Sequence, residues 1–177
     1  MIKGLYPFGL NHYRSLKFQK LRKLISKNQR KIKVEGAYGS SLSFLLIDIF
    51  SSINQQIFYI SNTKETASYV YSDIVELIGE INCSFLPSNY RSDAKKIKDE
   101  SNIINRSKTI RDILDKETKI IVTYPEAIFE KIPNEKEIDS KTINIEKGQF
   151  LKINSINELL FDLKFEKDDY VQQPGDF

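Results

Sequence analysis

Hydrophobic and polar residues alternate along residues 11–133 with two periods, one typical of helices and one typical of short buried strands. Apolar residues three and four apart predict helices, whereas runs of β-branched or aromatic residues predict strands. We expect helices from residue 11 or 15 to about 27, over 40–53 and 62–79, from 103 or 105 to 114, and from 124 onward. We expect strands over 32–35, 57–60, 83–86 and 119–123, and a loop over 88–100.

The order of these elements predicts the fold class. Strands that are apolar on both faces and alternate with helices are typical of a parallel sheet covered by helices. Residues 1–133 are therefore predicted to form an α/β domain. Beyond Pro133 the pattern changes to a strand over 142–145, a turn at Gly148, a strand over 150–153 and a helix over 155–163. Residues 134–177 are predicted to form a small α+β second domain.

The single cysteine and single histidine limit the chemistry of this 177-residue chain. Cys83 has no partner for an internal disulfide, and with His12 it cannot assemble a zinc site of the usual kind. The longest apolar runs are too short to span a bilayer, and the N-terminus does not resemble a signal peptide. We therefore expect a cytoplasmic protein with no membrane partner and no metal, in which Cys83 is a buried, reduced thiol.

Positive charge is concentrated at the N-terminus. Residues 1–33 hold ten Lys or Arg and no acid, whereas the rest of the chain holds 17 basic and 24 acidic residues, a net charge of −7. The basic segment is expected either to contact an anionic partner such as nucleic acid or to dock on an acidic surface of the same chain. The candidate phosphate-contacting residues lie on one face of the first predicted helix and just after it: Lys20, Lys23, Lys27 and Arg30.

The segment VEGAYGSSLSFLL, residues 34–46, has the layout of a phosphate-binding loop, with a strand, a glycine-rich turn and a helix start. Such a loop reads G-x-x-x-x-G-K-[ST], in which the lysine reaches the phosphates and the hydroxyl holds magnesium. Leu42 occupies the lysine position here, and no aspartate follows the 119–123 strand, so we expect no functional cofactor site and no catalysis. The residues of this degenerate loop are Gly36, Gly39, Ser40, Ser41, Leu42 and Ser43.

Two alternatives to a degenerate loop stay open. The segment can be an ordinary turn, because a tight connection between a strand and a helix favours glycine and serine in any case. It can also belong to a divergent ATP-binding enzyme in which Lys64 supplies the missing cation. The paired acids Asp112 and Asp115, and likewise Asp168 and Asp169, have no partner histidine and are interpreted as solvated surface residues.

Four segments together resemble the N-terminal module of the bacterial transcription-repair coupling factors, which is similar to domains 1a and 2 of the excision-nuclease subunit UvrB. GAYGSSLS, residues 36–43, matches the position of the UvrB loop G-x-x-G-S-G-K-T but lacks its last glycine and its lysine. FYISNTKETA, residues 58–67, resembles the next motif, and residues 103–123 resemble the last helix and strand of domain 1a. PGDF, residues 174–177, resembles the signature Pro-Gly-[Glu/Asp]-[Phe/Tyr] that leads into domain 1b.

This resemblance implies a RecA-like helicase domain over residues 1–133 that no longer binds nucleotide, and domain 2 over 134–177. It implies a non-catalytic platform that recruits UvrA in transcription-coupled nucleotide-excision repair and is masked by other domains of a longer parent protein. ATP, magnesium, double-stranded DNA and RNA polymerase are expected to bind the downstream domains of that parent. Most UvrA contacts are expected beyond the chain, and the candidates within it are Tyr170, Gln172, Gln173 and Phe177.

Overall fold

A computed structural model gives the fold and describes residues 16–27, 30–53, 55–90, 100–140, 147–150, 152–162, 165 and 167. The chain divides into two compact units, residues 1–130 and 131–177. The strands of the described ranges are β1 (Ile57–Ile60), β2 (Cys83–Phe85) and β3 (Ile120–Thr123). The helices are α1 (Leu16–Ser26), α2 (Ser40–Ile53), α3 (Lys64–Ile78), α4 (Glu100–Leu114), α5 (Pro125–Phe129), α6 (Glu135–Ser140) and α7 (Ile153–Asp162).

The first unit is built on a three-stranded parallel sheet. β3 lies in the centre, with β1 on one side and β2 on the other, and Ile120 aligns with both Ile57 and Cys83. All four residues of β3 are buried, as expected for the central strand of a parallel sheet between helices. The mixed α/β class and the parallel sheet were correctly predicted. The more specific RecA-like arrangement stays a prediction.

The core of the first unit lies between the sheet and helices α2 and α3. Ile47 of α2, Ile74 of α3 and Ile120 of β3 are each at most 1% exposed and belong to one apolar cluster. Cys83 belongs to the same cluster as a free thiol, which confirms its predicted burial. Burial raises the pKa of the Cys83 thiol to about 12, because the apolar surroundings disfavour the thiolate.

Helix α3 shows how local chemistry sets an element's ends. The hydroxyl of Thr63 accepts a hydrogen bond from the backbone N–H of Thr66, so Thr63, and not the neighbouring Asn62, caps the helix. At the other end Gly79 has a φ of 81°, a conformation that ends a helix at low cost only for glycine. A short 3₁₀ turn over Glu80–Asn82 then leaves Ile81 79% exposed, although its spacing predicted a buried position.

The predicted strand over residues 32–35 is wrong. Residues 31–38 have no regular secondary structure, and Val34 is 47% exposed. Lys33 and Glu35 form an ion pair with both side chains in solvent. Residues with a strand-type sequence become a strand only when a neighbouring strand accepts their backbone hydrogen bonds. No described strand lies beside this segment, and so the phosphate-loop layout lacks its first element.

In the second unit the predicted helix over 155–163 is confirmed as α7 (Ile153–Asp162). The predicted strand over 150–153 is wrong, because Phe150 is 89% exposed and Ile153 begins α7. Helix α6 was missed, although Asn134 and Glu137 exchange hydrogen bonds of 3.0 and 3.1 Å between side chain and backbone N–H, a capping box that the sequence carries. The predicted strand over 142–145 lies outside the described residues. None of the described helices is long and apolar enough to cross a membrane.

Candidate functional site

The glycine loop forms a closed turn at the start of α2. Gly36 and Gly39 have φ values of 83° and 54°, in the left-handed region that favours glycine. The backbone N–H of Ser41 donates to the carbonyl of Tyr38 at 3.2 Å, and that of Leu42 donates to the carbonyl of Gly39 at 3.1 Å. Both amides are among those that a phosphate-binding loop presents to its ligand. In this loop they are occupied by the turn itself.

The side chains of the two key loop positions point into the protein. Leu42 packs against the apolar core cluster. Ser43, at the position whose hydroxyl would hold magnesium, is 0% exposed and donates from Oγ to Oδ2 of Asp73 at 3.0 Å. Ser41 donates from Oγ to the carbonyl of Tyr38 at 2.6 Å. The loop hydroxyls at 41 and 43 are therefore engaged within the fold, one in the turn and one between α2 and α3.

A cavity of about 440 Å³ lies beside the loop. Helix α1 forms one wall, residues 32–37 form another, and the first turns of α2 close it through Ser41 and Leu45. Two lysines line it, Lys20 from α1 and Lys33 from the irregular segment. We refer to this cavity as the α1 groove. Lys64, the alternative cation considered from the sequence, lies at the start of α3 and is not among the residues that line this cavity.

Helix α1 is held on α2 by a partly buried ion pair. Arg22, whose side chain is 36% exposed, bonds both carboxylate oxygens of Asp48, which is 1% exposed. The predicted phosphate-contacting residues do not share this arrangement. The exposed residues are Lys20, Lys23, Lys27 and Arg30, and none of them forms an ion pair with a residue that the structure describes.

Residues 16–48 therefore give support to both interpretations of the N-terminal charge, docking on an acid of the same chain and contact with an anionic partner. Arg22 docks on an acid of the same chain, and the remaining cations face solvent. Asp48 was missed in the sequence, although an acid inside the apolar run LLIDIF is a signal for a buried charge that needs a partner.

A second polar cluster, which the sequence did not predict, lies at the carboxyl ends of β2 and β3. Arg106 of α4 is 3% exposed and donates from Nη1 to the carbonyls of Pro87 and Ala127, each at 2.8 Å. Nη2 donates to the carbonyl of Glu130 at 3.3 Å. Burial lowers the pKa of the Arg106 guanidinium, against the opposing charge of Glu130. We refer to these residues, with Ser88, Asn89 and Tyr124, as the arginine hub.

The carboxylate of Glu130 completes the arginine hub. It lies 3.6 Å from Nε of Arg106, accepts the hydroxyl of Ser88, and accepts the backbone N–H of Asn89 at 3.1 Å. The phenol oxygen of Tyr124 accepts the backbone N–H of Ser88 at 2.9 Å. The carboxyl edge of a parallel sheet is where α/β proteins commonly bind ligands. Here the polar groups of the hub bond one another, so the cluster fixes two loops.

A third polar cluster corrects the interpretation of Asp112 as a solvated acid. Asp112 is 7% exposed, accepts a hydrogen bond from the hydroxyl of Ser84 at 2.6 Å, and lies 2.9 Å from Nζ of Lys119. Lys119 also pairs with Glu117 at 2.6 Å. Burial disfavours its charged form, but the bonds to Glu117 and Asp112 outweigh this effect and raise the pKa of Lys119. The cluster joins α4 to the strands.

The remaining predicted site residues lie outside the described part of the chain. These are the candidate partner contacts Tyr170, Gln172, Gln173 and Phe177, together with Asp168 and Asp169. Within the described residues, no group of three or more His, Cys, Asp or Glu side chains is placed to hold a metal ion.

Two comparisons with known proteins bear on this site. No protein-family model matches the chain. The chain is similar to UvrABC system protein B of Mycoplasma mycoides subsp. mycoides SC, with 24% identity over 173 residues. The match covers 90% of this chain but 26% of the length of that relative. The similarity indicates a UvrB-like module.

Proposed function

We propose that this chain is a UvrB-like module of nucleotide-excision repair that recruits a partner protein and neither binds nor hydrolyses ATP. The observation that carries the proposal is the glycine loop, in which Leu42 and Ser43 are committed to the fold. Similarity to UvrABC system protein B over 90% of the chain supports the repair context. The whole relative is a much longer protein, so its activity is not transferred to this module.

The loss of nucleotide binding follows from charge and solvation. A loop lysine stabilises the β- and γ-phosphates of ATP by close Coulomb interaction in a partly dehydrated site, whereas a leucine supplies no charge there. Moving Ser43 toward a magnesium ion would break its hydrogen bond to Asp73 and leave a partly buried carboxylate without that donor. The proposed module therefore retains the glycine-rich turn but lacks the charged lysine and the free hydroxyl that would bind ATP and magnesium.

The finer form of the proposal assigns the module to the transcription-repair coupling factors. The absence of the loop lysine at Leu42 favours this assignment over an ATP-dependent UvrB subunit. In this proposal the protein is cytoplasmic, and its motor ATP, magnesium, RNA polymerase and double-stranded DNA bind other domains of the parent. UvrA is the partner of the module itself.

The recruitment role is tested by measuring the binding of purified UvrA to the immobilised chain in an optical biosensor. We expect saturable binding that is weak, because most contacts are expected outside the chain. Replacing Tyr170, Gln172 and Gln173 together by alanine should weaken it by about tenfold if these side chains form part of the contact. Absence of saturable binding at any accessible concentration would reject UvrA as the partner of this module.

A second candidate function is direct contact with nucleic acid through α1. The observation that favours it is the exposure of Lys20, Lys23 and Lys27 along one helix face with no described ion-pair partner. Binding to phosphates releases counterions, so the affinity for double-stranded DNA should fall by about tenfold or more over a few-fold increase in salt. The triple variant Lys20→Glu, Lys23→Glu, Lys27→Glu should abolish it, and equal affinity in the variant would dismiss this candidate.

A further inference from the structure

The α1 groove is an apolar site with no described side chain filling it. Its volume of about 440 Å³ lies within the range of pockets that bind small ligands or several side chains of a partner. Leu21 and Leu24 of α1, Leu45 of α2, and Ile32 and Val34 contribute its aliphatic lining. Apolar surface of this kind gains free energy when other apolar groups displace its water.

The backbone beside the groove is available for pairing. Residues 31–37 have no regular secondary structure and form no backbone hydrogen bond with another described residue. Their sequence nevertheless alternates β-branched Ile32 and Val34 with Lys31, Lys33 and Glu35, a pattern that favours a strand. A strand-prone segment beside which the described residues place no strand is suited to pair with an incoming extended segment.

The charge at the groove selects for an acidic partner. Lys20 lines the groove and forms no ion pair with a described residue. Lys23 and Lys27 are exposed on the following turns of the same helix. The acid in the lining is Glu35, which is paired with Lys33. Electrostatic complementarity therefore favours carboxylates at the α1 side of the groove.

We propose that the α1 groove binds an extended segment of a partner protein in which apolar and acidic residues alternate. The segment pairs with residues 31–35 as an added strand, places its apolar side chains among Leu21, Leu24 and Leu45, and directs its carboxylates to Lys20. This interaction is separate from UvrA recruitment and does not depend on it.

The lining favours a peptide over a nucleic acid. Single-stranded nucleic acid binding relies on aromatic side chains on which the bases stack. The residues that line the groove are aliphatic, small or charged, and Tyr38, the aromatic residue nearest in sequence, is 82% exposed and is not among them. Leucine and isoleucine side chains suit the apolar residues of a peptide.

The test uses fluorescein-labelled peptides in fluorescence anisotropy with the full chain. Helix α1 has 11 residues and spans about 16 Å, which an extended peptide of about five to eight residues covers. One peptide alternates glutamate with valine and leucine, a second carries lysine at each glutamate position, and a third carries serine at each apolar position. We expect saturable binding of the first, and at least about tenfold weaker binding of the second and third.

Two variants localise the binding. Lys20→Glu should lower the affinity for the acidic peptide by at least about tenfold. The matched control Lys108→Glu, on the exposed face of α4, should change this affinity by less than twofold. Ala37→Phe adds an aromatic ring to the wall of the groove without changing its charge, and should reduce binding to a similar extent. Circular dichroism and thermal unfolding establish that each variant is folded.

Several outcomes would overturn the proposal. They are no saturable binding of the acidic peptide, equal binding of the basic peptide, and unchanged affinity in folded Ala37→Phe. Tighter binding of a single-stranded oligonucleotide, lost in Lys20→Glu, would assign the groove to nucleic acid instead. Concentration-dependent dimerisation that Ala37→Phe abolishes would assign it to a second copy of this chain.

Discussion

The arginine hub and the α1 groove differ in how their polar groups are satisfied. In the hub, Arg106, Glu130 and the backbone around Ser88 bond one another in the protein interior. Beside the groove, residues 31–37 form no backbone hydrogen bond with another described residue, and Lys20 has no described ion-pair partner. Buried networks of this kind rigidify a fold, whereas unsatisfied exposed groups are available to partners. The difference indicates that the α1 groove is the place to look for partner binding, whereas the arginine hub stabilises the fold.

The largest effect is expected when the hub loses its arginine. Arg106→Met would leave the carbonyls of Pro87 and Ala127 without donors and the carboxylate of Glu130 without its cation. We expect a loss of about 3–5 kcal/mol in the free energy of unfolding, measured by urea denaturation. The control Lys108→Met, two residues away on the exposed face of α4, should change it by less than about 0.5 kcal/mol. If Arg106→Met and Lys108→Met had similar free energies of unfolding, the arginine hub would contribute no more to stability than an exposed residue.

The cluster around Lys119 should make stability depend on alkaline pH. Its pKa is raised above the ordinary value of 10.5, so the folded state holds this proton more tightly than the unfolded state. The stabilisation is fully present below pH 10.5 and is lost as the pH rises through the folded-state pKa. Lys119→Met should cost about 2 kcal/mol at neutral pH and should flatten this alkaline decline. If the variant lost stability at alkaline pH as steeply as the unmodified chain, the loss would be assigned to other titratable groups.

A smaller effect is expected where the glycine loop joins the core. Ser43→Ala removes the hydrogen bond to Asp73, and we expect it to lower the free energy of unfolding by about 1 kcal/mol. Ser41→Ala, in the exposed turn of the same loop, is the matched control and should cost less. If Ser43→Ala were neutral, the Ser43 hydroxyl would not be a structural group, and the case for a lost magnesium position would weaken.

The smallest effect is expected at the surface of the groove. Lys33→Gln breaks an ion pair with Glu35 whose side chains are 82% and 75% exposed. Exposed pairs contribute little, so the free energy of unfolding should change by less than about 0.5 kcal/mol in thermal or urea denaturation. A loss as large as that of Arg106→Met would show that residues 31–37 are part of the rigid fold and contradict their description as an open binding surface.

The elements that could be predicted from sequence were those with strong local signals. The apolar runs of β1 and β3, the helical spacing in α3 and Pro125 at the start of α5 predicted these elements within a few residues. The prediction of a strand over 32–35 was wrong, because strand formation depends on a neighbouring strand that no local sequence pattern reveals. The bonds of Arg106 to Pro87 and of Asp112 to Ser84 also escaped prediction, since the partners are 19 and 28 residues apart in sequence.

The candidate site was predicted in part. The glycine loop and the start of α2 at Ser40 lie where the sequence placed them. Leu42 was predicted to remove the charge of the loop, but its packing in the core depends on the tertiary fold and could not be foreseen. The α1 groove was not predicted, because Lys20 and Val34 become neighbours of one cavity only after α1 packs on α2 through Arg22 and Asp48.

The central claim is that the glycine loop no longer binds nucleotide, and titration calorimetry of the full chain with magnesium and ATP tests it most directly. The account predicts no saturable heat at millimolar ATP. It predicts the same result for Leu42→Lys, because the Ser43 hydroxyl and the amides of residues 41 and 42 stay engaged in the fold. Saturable, magnesium-dependent binding of ATP to the unmodified chain, lost when Ser41 and Ser43 are replaced by alanine, would contradict the claim and restore the loop as a nucleotide site.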